Sequence, residues 1–282
     1  IIKTLKYGHF PSLKAPVPPI ERRNNTSYFK NIDFANKEIY KLLEQGKIKQ
    51  VLSKPYCLNP LMVAVQPKKN RLVLDCSILN DYIHVPHIKF EDYKVAMNYF
   101  QKQGYMIGFD FKDGYHHVLI HPDFQDYLGF AVELEGRLCY FVWTVGSLGL
   151  KDMPWLFTKI FRVLIKHWRS SGMEICLYLD DGWHFSSDLE FSLKCSEHIR
   201  KDLLRAGVVW SVKKSSWEPS RTLEWLGLVW DSQDLTLRIS DRRVTKLINS
   251  ATWLSSKTKI SIRQLASFVG QVISMSPVIG GL

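Results

Sequence analysis

The sequence predicts an α+β fold in which a mostly antiparallel sheet is backed by helices. Two observations lead to this fold class. Helical patterns alternate with short β-rich segments, and several of these segments are paired around turn residues such as Glu135 and Gly136, as in hairpins. The chain also has 282 residues and is 46% hydrophobic, which suffices for one large domain or for two to three subdomains.

The N-terminal third is predicted to contain an arm, a helix and a hairpin. Four prolines within the first twenty residues indicate an extended arm or linker. Apolar residues recur at helical spacing from position 33 to a stop near Gly46. Segments 61–65 and 72–74 are expected to be short strands joined by a basic turn. A further helix is predicted near 91–101, before Gly104.

The remaining elements are predicted from turn and capping signals. In chain order they are a strand at 105–111, a hairpin at 127–145, a helix that Asp152 caps and that runs to about Arg169, a hairpin at 174–185 whose turn is Asp180-Asp181-Gly182, a helix from Asp188 to Gly207, strands around 223–230 and 235–239, and helices from Ser240 and from Ser261. Gln264 completes a capping box with Ser261.

The charge balance favours a polyanionic partner. Lys and Arg number 38 against 27 Asp and Glu, a formal charge of +11. Between Arg238 and Arg263, seven basic residues face one acidic residue, Asp241. A simpler interpretation is that the charge serves solubility, and charge alone does not exclude it.

The five cysteines are scattered and show no C-x-x-C spacing, which argues against a disulfide framework or a zinc site and favours a reducing compartment. No apolar run is long enough to span a bilayer, so no membrane association is expected. The chain begins with Ile and shows no signal peptide, and it is expected to be part of a longer intracellular polypeptide, in the cytoplasm or the nucleus.

Acidic residues occur at the ends of two predicted strands. Asp180 and Asp181 are adjacent, and Asp110 lies between two phenylalanines at a strand end about seventy residues earlier. Three such carboxylates could hold two Mg²⁺ ions, which prefer oxygen ligands. The alternatives are an exposed hairpin tip for the Asp pair and a strand-end cap for Asp110.

Two motifs resemble those of retroelement reverse transcriptases. Residues 109–115, Phe-Asp-Phe-Lys-Asp-Gly-Tyr, are similar to the first carboxylate motif of that family, and residues 178–181, Tyr-Leu-Asp-Asp, to its Y-x-D-D motif. The resemblance implies a right-hand polymerase fold with fingers, palm and thumb. It also implies that Asp110, Asp180 and Asp181, with the backbone carbonyl of Phe111, bind two Mg²⁺ ions, for which Mn²⁺ can substitute.

The resemblance further implies nucleotide-binding residues. Tyr115 would pack under the sugar and exclude a 2′-hydroxyl, although it could be only a core aromatic. Arg71 and either Lys68 or Lys69 would grip the triphosphate, although they could form only a solvated basic turn. Gly149 lies in a loop that in the family contacts the incoming nucleotide.

Motifs near the C-terminus resemble those that complete the reaction and hold the primer. Lys214, favoured over Lys213, would protonate the leaving pyrophosphate. Trp225, Leu226 and Gly227 belong to a segment that resembles the primer grip. Helical spacing places Arg243 and Lys246 opposite an apolar face, where they could contact phosphates.

The segment 146–153 departs from the family pattern, because Ser147, Asp152 and Met153 replace the usual residues. This departure keeps open a catalytically inactive, nucleic-acid-binding scaffold as an alternative to an enzyme. An RNA-templated RNA polymerase is disfavoured by Tyr115. In wording the motifs are most similar to those of DIRS-type retrotransposons.

The resemblance covers about residues 55–275 and divides the chain into predicted subdomains: an N-terminal arm and fingers at 1–84, palm at 85–117, fingers at 118–146, palm at 147–234 and the start of a thumb or connection at 235–282. The implied partners are an RNA or DNA template with its primer and deoxynucleoside triphosphates. In the full polyprotein, an RNase H domain is expected to follow.

Overall fold

The computed structural model describes residues 1–66 and 69–279 and confirms a mixed α+β fold. The strands are β1 (Ile20–Glu21), β2 (Ile48–Val51), β3 (Cys57–Leu58), β4 (Leu61–Ala64), β5 (Arg71–Leu74), β6 (Tyr105–Asp110), β7 (Gly129–Leu134), β8 (Arg137–Trp143), β9 (Glu174–Tyr178), β10 (Asp181–Ser186), β11 (Ser216–Ser220), β12 (Thr222–Trp225), β13 (Leu228–Asp231) and β14 (Thr236–Ile239). The helices are α1 (Ile2–Tyr7), α2 (Thr26–Phe29), α3 (Ile32–Glu44), α4 (Ser77–Tyr82), α5 (Tyr93–Met97), α6 (Pro122–Gln125), α7 (Met153–Ser170), α8 (Leu189–Arg205), α9 (Asp241–Ser255), α10 (Ile262–Ile273) and α11 (Ser276–Ile279), with 3₁₀ turns at Gly114–His117 and Asp126–Leu128.

The chain divides into two compact units. Unit 1 comprises residues 1–90 and 113–164, and unit 2 comprises residues 91–112 together with those from 165 onward. Helix α7 begins in unit 1 and ends in unit 2. The finer division into fingers, palm and thumb stays a prediction.

Unit 1 contains a five-stranded sheet in the order β1-β3-β7-β8-β2 and the separate hairpin β4–β5. The predicted hairpin turn is confirmed, because Glu135 and Gly136 both have positive φ angles, 51° and 73°, between the antiparallel strands β7 and β8. Phe130 and Phe141 stack across this pair with ring centroids 5.4 Å apart. The sheet thus has an aromatic core on one face.

The N-terminal arm is not the open linker that its prolines suggested. Residues 2–7 form α1, and His9 pairs with the segment around Ile120, donating its backbone N–H to the Leu119 carbonyl at 2.7 Å. His9 is buried. The arm is ordered because it adds backbone hydrogen bonds to unit 1, and a local proline count does not reveal such long-range pairing.

Unit 2 is built on an antiparallel sheet in the order β11-β6-β10-β9, as the sequence predicted for the main sheet. A second antiparallel sheet follows, in the order β12-β13-β14. The core between the two sheets is aromatic: Trp183 on β10 and Trp230 on β13 are fully buried and pack with ring centroids 5.3 Å apart. The segment predicted as one strand around 223–230 forms two antiparallel strands, β12 and β13, with the turn between them at Leu226 and Gly227.

Two of the predicted helix caps are present in the structure and one is not. Asp188 accepts a hydrogen bond from the Phe191 N–H at 2.6 Å and caps α8, and Ser261 with Gln264 forms the capping box of α10. The predicted cap at Asp152 was wrong, because its carboxylate turns to His9 instead. Helix α5 is shorter than predicted, since the chain leaves it at Asn98.

The turn in the Tyr178–Asp181 segment also differs from the prediction. Asp181 pairs with Tyr178, so the two turn residues are Leu179, with φ of 54°, and Asp180. Asp181 and Gly182 lie inside β10. The Asp-Gly dipeptide is therefore not a turn signal here, and the alternative of an exposed Asp-Gly tip is wrong.

The cysteines are free thiols, as their spacing suggested. Four of them, Cys57, Cys76, Cys176 and Cys195, are buried, whereas Cys139 on β8 is partly exposed. Within 1–66 and 69–279, no helix has both the length and the apolar character needed to cross a membrane.

Candidate active site

Three carboxylates meet at one end of the main sheet of unit 2. Strands β6 and β10 are antiparallel, and their register pairs Asp110 with Asp181. The Phe111 N–H donates a hydrogen bond to the Asp180 carbonyl at 2.9 Å, which fixes the turn beside the end of β6. Strand pairing therefore brings together residues that are seventy positions apart in the sequence, as predicted.

The carboxylates repel one another in a partly dehydrated environment. Burial, together with the nearby charges of Asp180 and Asp110, raises the pKa of Asp181 from 3.8 to about 7. Asp110 is only 5% exposed. An ionised cluster of this kind needs a compensating cation, and its all-oxygen donor set suits a hard divalent ion such as Mg²⁺. The residues therefore fit the metal that the motifs imply.

Lys214 supplies one positive charge at this site. Its Nζ lies 2.7 Å from Oδ2 of Asp110, and its side chain is 63% exposed. The ammonium group can therefore contact a carboxylate and solvent at once. This position agrees with the choice of Lys214 over Lys213.

A loop that carries Lys214 is fastened to the strand end that carries Asp110. The Ser211 N–H donates to the Asp110 carbonyl at 2.7 Å, and the Asp110 N–H donates to Oγ of Ser215 at 3.1 Å. Sequence reasoning missed both serines. The available signal was their placement on either side of the lysine pair, in Ser-Val-Lys-Lys-Ser.

Aromatic packing supports the carboxylate end of the sheet. A Cβ atom at Gly182 would lie 2.1 Å from the Phe109 ring, so only glycine fits at this point of β10. Trp217 also packs on Phe109, and its ring stacks there at 5.3 Å with 4° between the planes. The residue after Asp181 is therefore dictated by packing.

The predicted primer-grip hairpin lies beside the Asp pair. Trp225 is 4% exposed, and its indole N–H donates to the Asp181 carbonyl at 3.2 Å. Its buried side chain thus supports strand β10 and is not available to a primer, which corrects its assignment as a primer-binding residue. Leu226 and Gly227 form the turn, with φ angles of 51° and 71°.

The expectation that Arg243 faces outward was wrong. Its guanidinium donates to the carbonyls of Leu226 at 3.2 Å and Ser274 at 2.8 Å, so it joins the hairpin turn to the segment after α10. A Cβ atom at Gly227 would lie 2.5 Å from Cδ of Arg243, which explains the glycine. Lys246 is exposed, as predicted.

The residues predicted to bind the nucleotide lie in unit 1. Tyr115 is partly buried in the 3₁₀ turn and meets the Phe157 ring edge-on at 5.7 Å. Arg71 and Lys69 are exposed around the β4–β5 hairpin. Lys68 lies outside the described residues.

Gly149 occupies a position that requires glycine. Its φ is 114°, and a Cβ atom would lie 1.9 Å from the Leu74 carbonyl oxygen. Asn80 fixes this loop, because its side chain donates to the Gly149 carbonyl at 2.7 Å and accepts from the Lys151 N–H at 3.0 Å. Asn80 of α4 thus holds the backbone around Gly149 in place.

The residues that depart from the family pattern are buried. Nε2 of His9 lies 2.6 Å from Oδ2 of Asp152, and both side chains are buried. Ser147 is fully buried as well. The unusual loop at 146–153 is therefore packed into unit 1 and has one buried polar pair.

Comparisons with known proteins agree on one family. The model of the family described as "Reverse transcriptase (RNA-dependent DNA polymerase)" matches residues 49–230, which include the three carboxylates and Lys214. The genome polyprotein of Petunia vein clearing virus (isolate Shepherd) is 26% identical over 204 residues, which cover 72% of this chain. The putative enzymatic polyprotein of Cassava vein mosaic virus is 23% identical over 192 residues, or 68% of this chain.

Solved structures show the same fold. The foamy viral protease-reverse transcriptase in complex with dsDNA superposes with a TM-score of 0.72 at 24% identity, covering 93% of this chain and 51% of that one. The same viral protein in complex with an RNA/DNA hybrid gives a TM-score of 0.70 at 21% identity, covering 93% of this chain and 34% of that one. The chain spans 9% of the Petunia virus polyprotein and 28% of the Cassava virus one.

Proposed function

The chain belongs to the reverse transcriptase (RNA-dependent DNA polymerase) family, and we propose that it is the polymerase core of a retrotransposon, which copies an RNA template into DNA by adding deoxynucleotides to a primer. The main support for this proposal is that Asp110, Asp180 and Asp181 lie together at one end of the sheet, with the Lys214 ammonium beside them. Catalysis at such a site consists mainly of positioning and charge stabilisation.

The carboxylates would hold two Mg²⁺ ions, together with the backbone carbonyl of Phe111, and Mn²⁺ would substitute. Ions bound there would lower the pKa of the primer 3′-hydroxyl and neutralise the charge that develops on the leaving oxygen. The raised pKa of Asp181 supports this proposal, because a cluster that disfavours its own ionisation gains most from bound cations.

Lys214 would donate a proton to the departing pyrophosphate. Its exposed ammonium lies 2.7 Å from Asp110, and residues on both sides of it are bonded to that same residue, Ser211 through its backbone N–H and Ser215 through its hydroxyl. A flexible side chain on a fixed backbone can leave the carboxylate and reach a phosphate oxygen without moving the loop.

Unit 1 would bind the incoming nucleotide. Arg71, with Lys69 or Lys68, would contact the triphosphate, and the ring of Tyr115 would exclude a 2′-hydroxyl. Gly149 would allow the loop backbone to approach the base pair. The edge contact with Phe157 supports the role of Tyr115, because it restricts the orientation of the ring.

The primer and template would be held by the turn at Leu226 and Gly227 and by the exposed Lys246. The net charge of +11 supports a polyanionic partner. We also propose that an RNase H domain follows in the full polyprotein, and that the protein acts in the cytoplasm or nucleus.

The alternative function is an inactive nucleic-acid-binding scaffold, which the departures at 146–153 suggested. The packing of this loop weighs against it. Asp152 forms a buried pair with His9, so the loop has a polar interaction of its own. A loop that had merely lost its function would not be expected to retain a matched buried pair.

Primer extension on an RNA template with Mg²⁺ tests the proposal. Extension is expected with the unchanged chain and is expected to be abolished by Asp110→Asn and by Asp180→Asn, because each removes a charge that holds the metals. Binding of the primer–template should stay nearly unchanged in both variants, since phosphate contacts are retained.

The matched control is Asp234→Asn, which removes an exposed carboxylate of unit 2 and should extend primers like the unchanged chain. Full extension by Asp180→Asn would exclude the metal site. If the unchanged chain binds primer–template tightly but extends it neither with Mg²⁺ nor with Mn²⁺, the scaffold function would be favoured.

A further inference from the structure

A second group of metal-binding side chains lies in unit 2, apart from the carboxylates. It consists of His167 near the end of α7 and of His198 and Asp202, which are four residues apart and therefore on one face of α8. One ligand atom of each lies within 4.8 Å of the others. Neither the motifs nor the proposed polymerase mechanism uses these three residues.

The distances suit a single metal ion. Nε2 of His198 lies 3.1 Å and Nε2 of His167 lies 3.7 Å from Oδ2 of Asp202. In a tetrahedral zinc site with bonds of about 2.0–2.1 Å, ligand atoms are about 3.3 Å from one another. Small side-chain rotations would therefore bring all three atoms into coordinating positions.

The carboxylate is oriented as a metal ligand usually is. Asp202 is 14% exposed, and the indole N–H of Trp168 donates to its Oδ2 at 2.9 Å. The guanidinium of Arg205 approaches the other oxygen, Oδ1, at 3.8 Å. The hydrogen bond from Trp168 is the kind of outer contact that fixes a ligand in place and increases metal affinity.

We propose that His167, His198 and Asp202 bind one Zn²⁺ ion, which joins the end of α7 to α8. Imidazole nitrogens select zinc-type ions over Mg²⁺, so this site would differ in preference from the three carboxylates. The histidine side chains are 56% and 44% exposed, which leaves a fourth position for water and gives the ion access. The bound ion stabilises unit 2, because it binds only when both helices are in place.

Co²⁺ is a suitable probe, because it replaces Zn²⁺ and absorbs visible light when four-coordinate. We would titrate the whole chain with Co²⁺ while Mg²⁺ is present in large excess to fill the carboxylate site. The expected result is one bound Co²⁺ with a four-coordinate spectrum, displaced by Zn²⁺, and a melting temperature that rises with added Zn²⁺.

The variants His167→Gln and His198→Gln test the ligands. Loss of an outer partner of a metal ligand weakens metal binding by about 10–100-fold, and loss of a ligand should weaken it at least as much. Each single variant is therefore expected to bind Co²⁺ at least that much more weakly, and the double variant should not bind it. Both side chains are about half exposed, so both variants should fold, which their metal-free melting temperatures will check.

Two controls separate this site from other histidines and from the carboxylates. His87→Gln changes an exposed histidine elsewhere, and Asp180→Asn removes a carboxylate of the proposed active site; both should retain the Co²⁺ spectrum. A spectrum that persists in the double histidine variant, or that is never observed, would overturn the proposal. A spectrum lost in Asp180→Asn would instead assign the ion to the carboxylates.

Discussion

Replacing Asp181 with Asn is expected to stabilise the metal-free protein while it abolishes polymerase activity. In the folded chain, burial and the neighbouring Asp180 and Asp110 raise the pKa of Asp181 to about 7. The folded state therefore holds a proton that the unfolded chain releases at lower pH. Stability contributed by this proton is present below the ordinary pKa and is lost as the pH rises from about 4 through about 7.

The magnitude follows from the size of the pKa change. The pKa rises from 3.8 to about 7, and one pKa unit corresponds to about 1.4 kcal/mol. Above that range, the ionised Asp181 would cost the metal-free fold up to about 4 kcal/mol. An Asn side chain has no charge to repel Asp180 and Asp110, so most of this cost should disappear in the variant.

Urea denaturation in a chelator, at about pH 5 and about pH 8.5, measures the effect. The variant should gain more stability at the higher pH than at the lower one. Mg²⁺ should stabilise the unchanged chain at high pH and the variant much less, because the ions relieve the same repulsion. Asp234→Asn, in an exposed position, should gain nothing at either pH.

An Asp181→Asn variant that is less stable than the unchanged chain at the higher pH would refute the reasoning. It would mean that the hydrogen bonds of the carboxylate outweigh its repulsion. A gain that is the same at both pH values would also count against it, since repulsion requires the ionised form.

Other predictions concern the sugar, the basic helix and the N-terminal arm. Tyr115→Val should admit ribonucleotides, as measured by single-nucleotide incorporation; unchanged discrimination would make Tyr115 only a core aromatic. Lys246→Ala should lower the log–log salt slope of primer–template binding by about 0.7–0.9, whereas Arg243→Ala should leave the slope unchanged and lower the melting temperature, because it leaves carbonyls unpaired. His9→Ala should cost about 3–5 kcal/mol in urea denaturation, since it leaves Asp152 buried without its partner. Adding Asp152→Asn should recover part of that loss, and additive effects would contradict the pairing.

The carboxylate site was predictable because two simple features determine it. Asp110 ends the apolar strand β6, and the Asp pair lies where β9 turns into β10, so antiparallel pairing of β10 with β6 brings the three side chains together. The position of the turn was not predictable in the same way. A local rule favours Asp-Gly as turn residues, but the Phe109 ring needs a glycine inside β10, and packing decided the register.

Arg243 shows where helical spacing fails. Spacing assigns Arg243 to the polar side of α9, but it does not reveal that the turn at Leu226 and Gly227 lies within reach of its guanidinium. His9 and Asp152 are 143 residues apart, and no local pattern connects them. The histidine group on α7 and α8 was missed for the same reason, because only Asp202 and His198 share a helix.

The burial of the cysteines has a practical consequence for labelling. A thiol reacts as the thiolate and only when reagent reaches it. Burial raises the pKa of Cys57 and Cys195 to about 11 and that of Cys176 to about 12, and Cys76 is fully enclosed. Cys139 on β8 is partly exposed, so a maleimide dye should attach there first. The natural chain thus offers one fluorophore position on the β7–β8 hairpin without removal of any other cysteine.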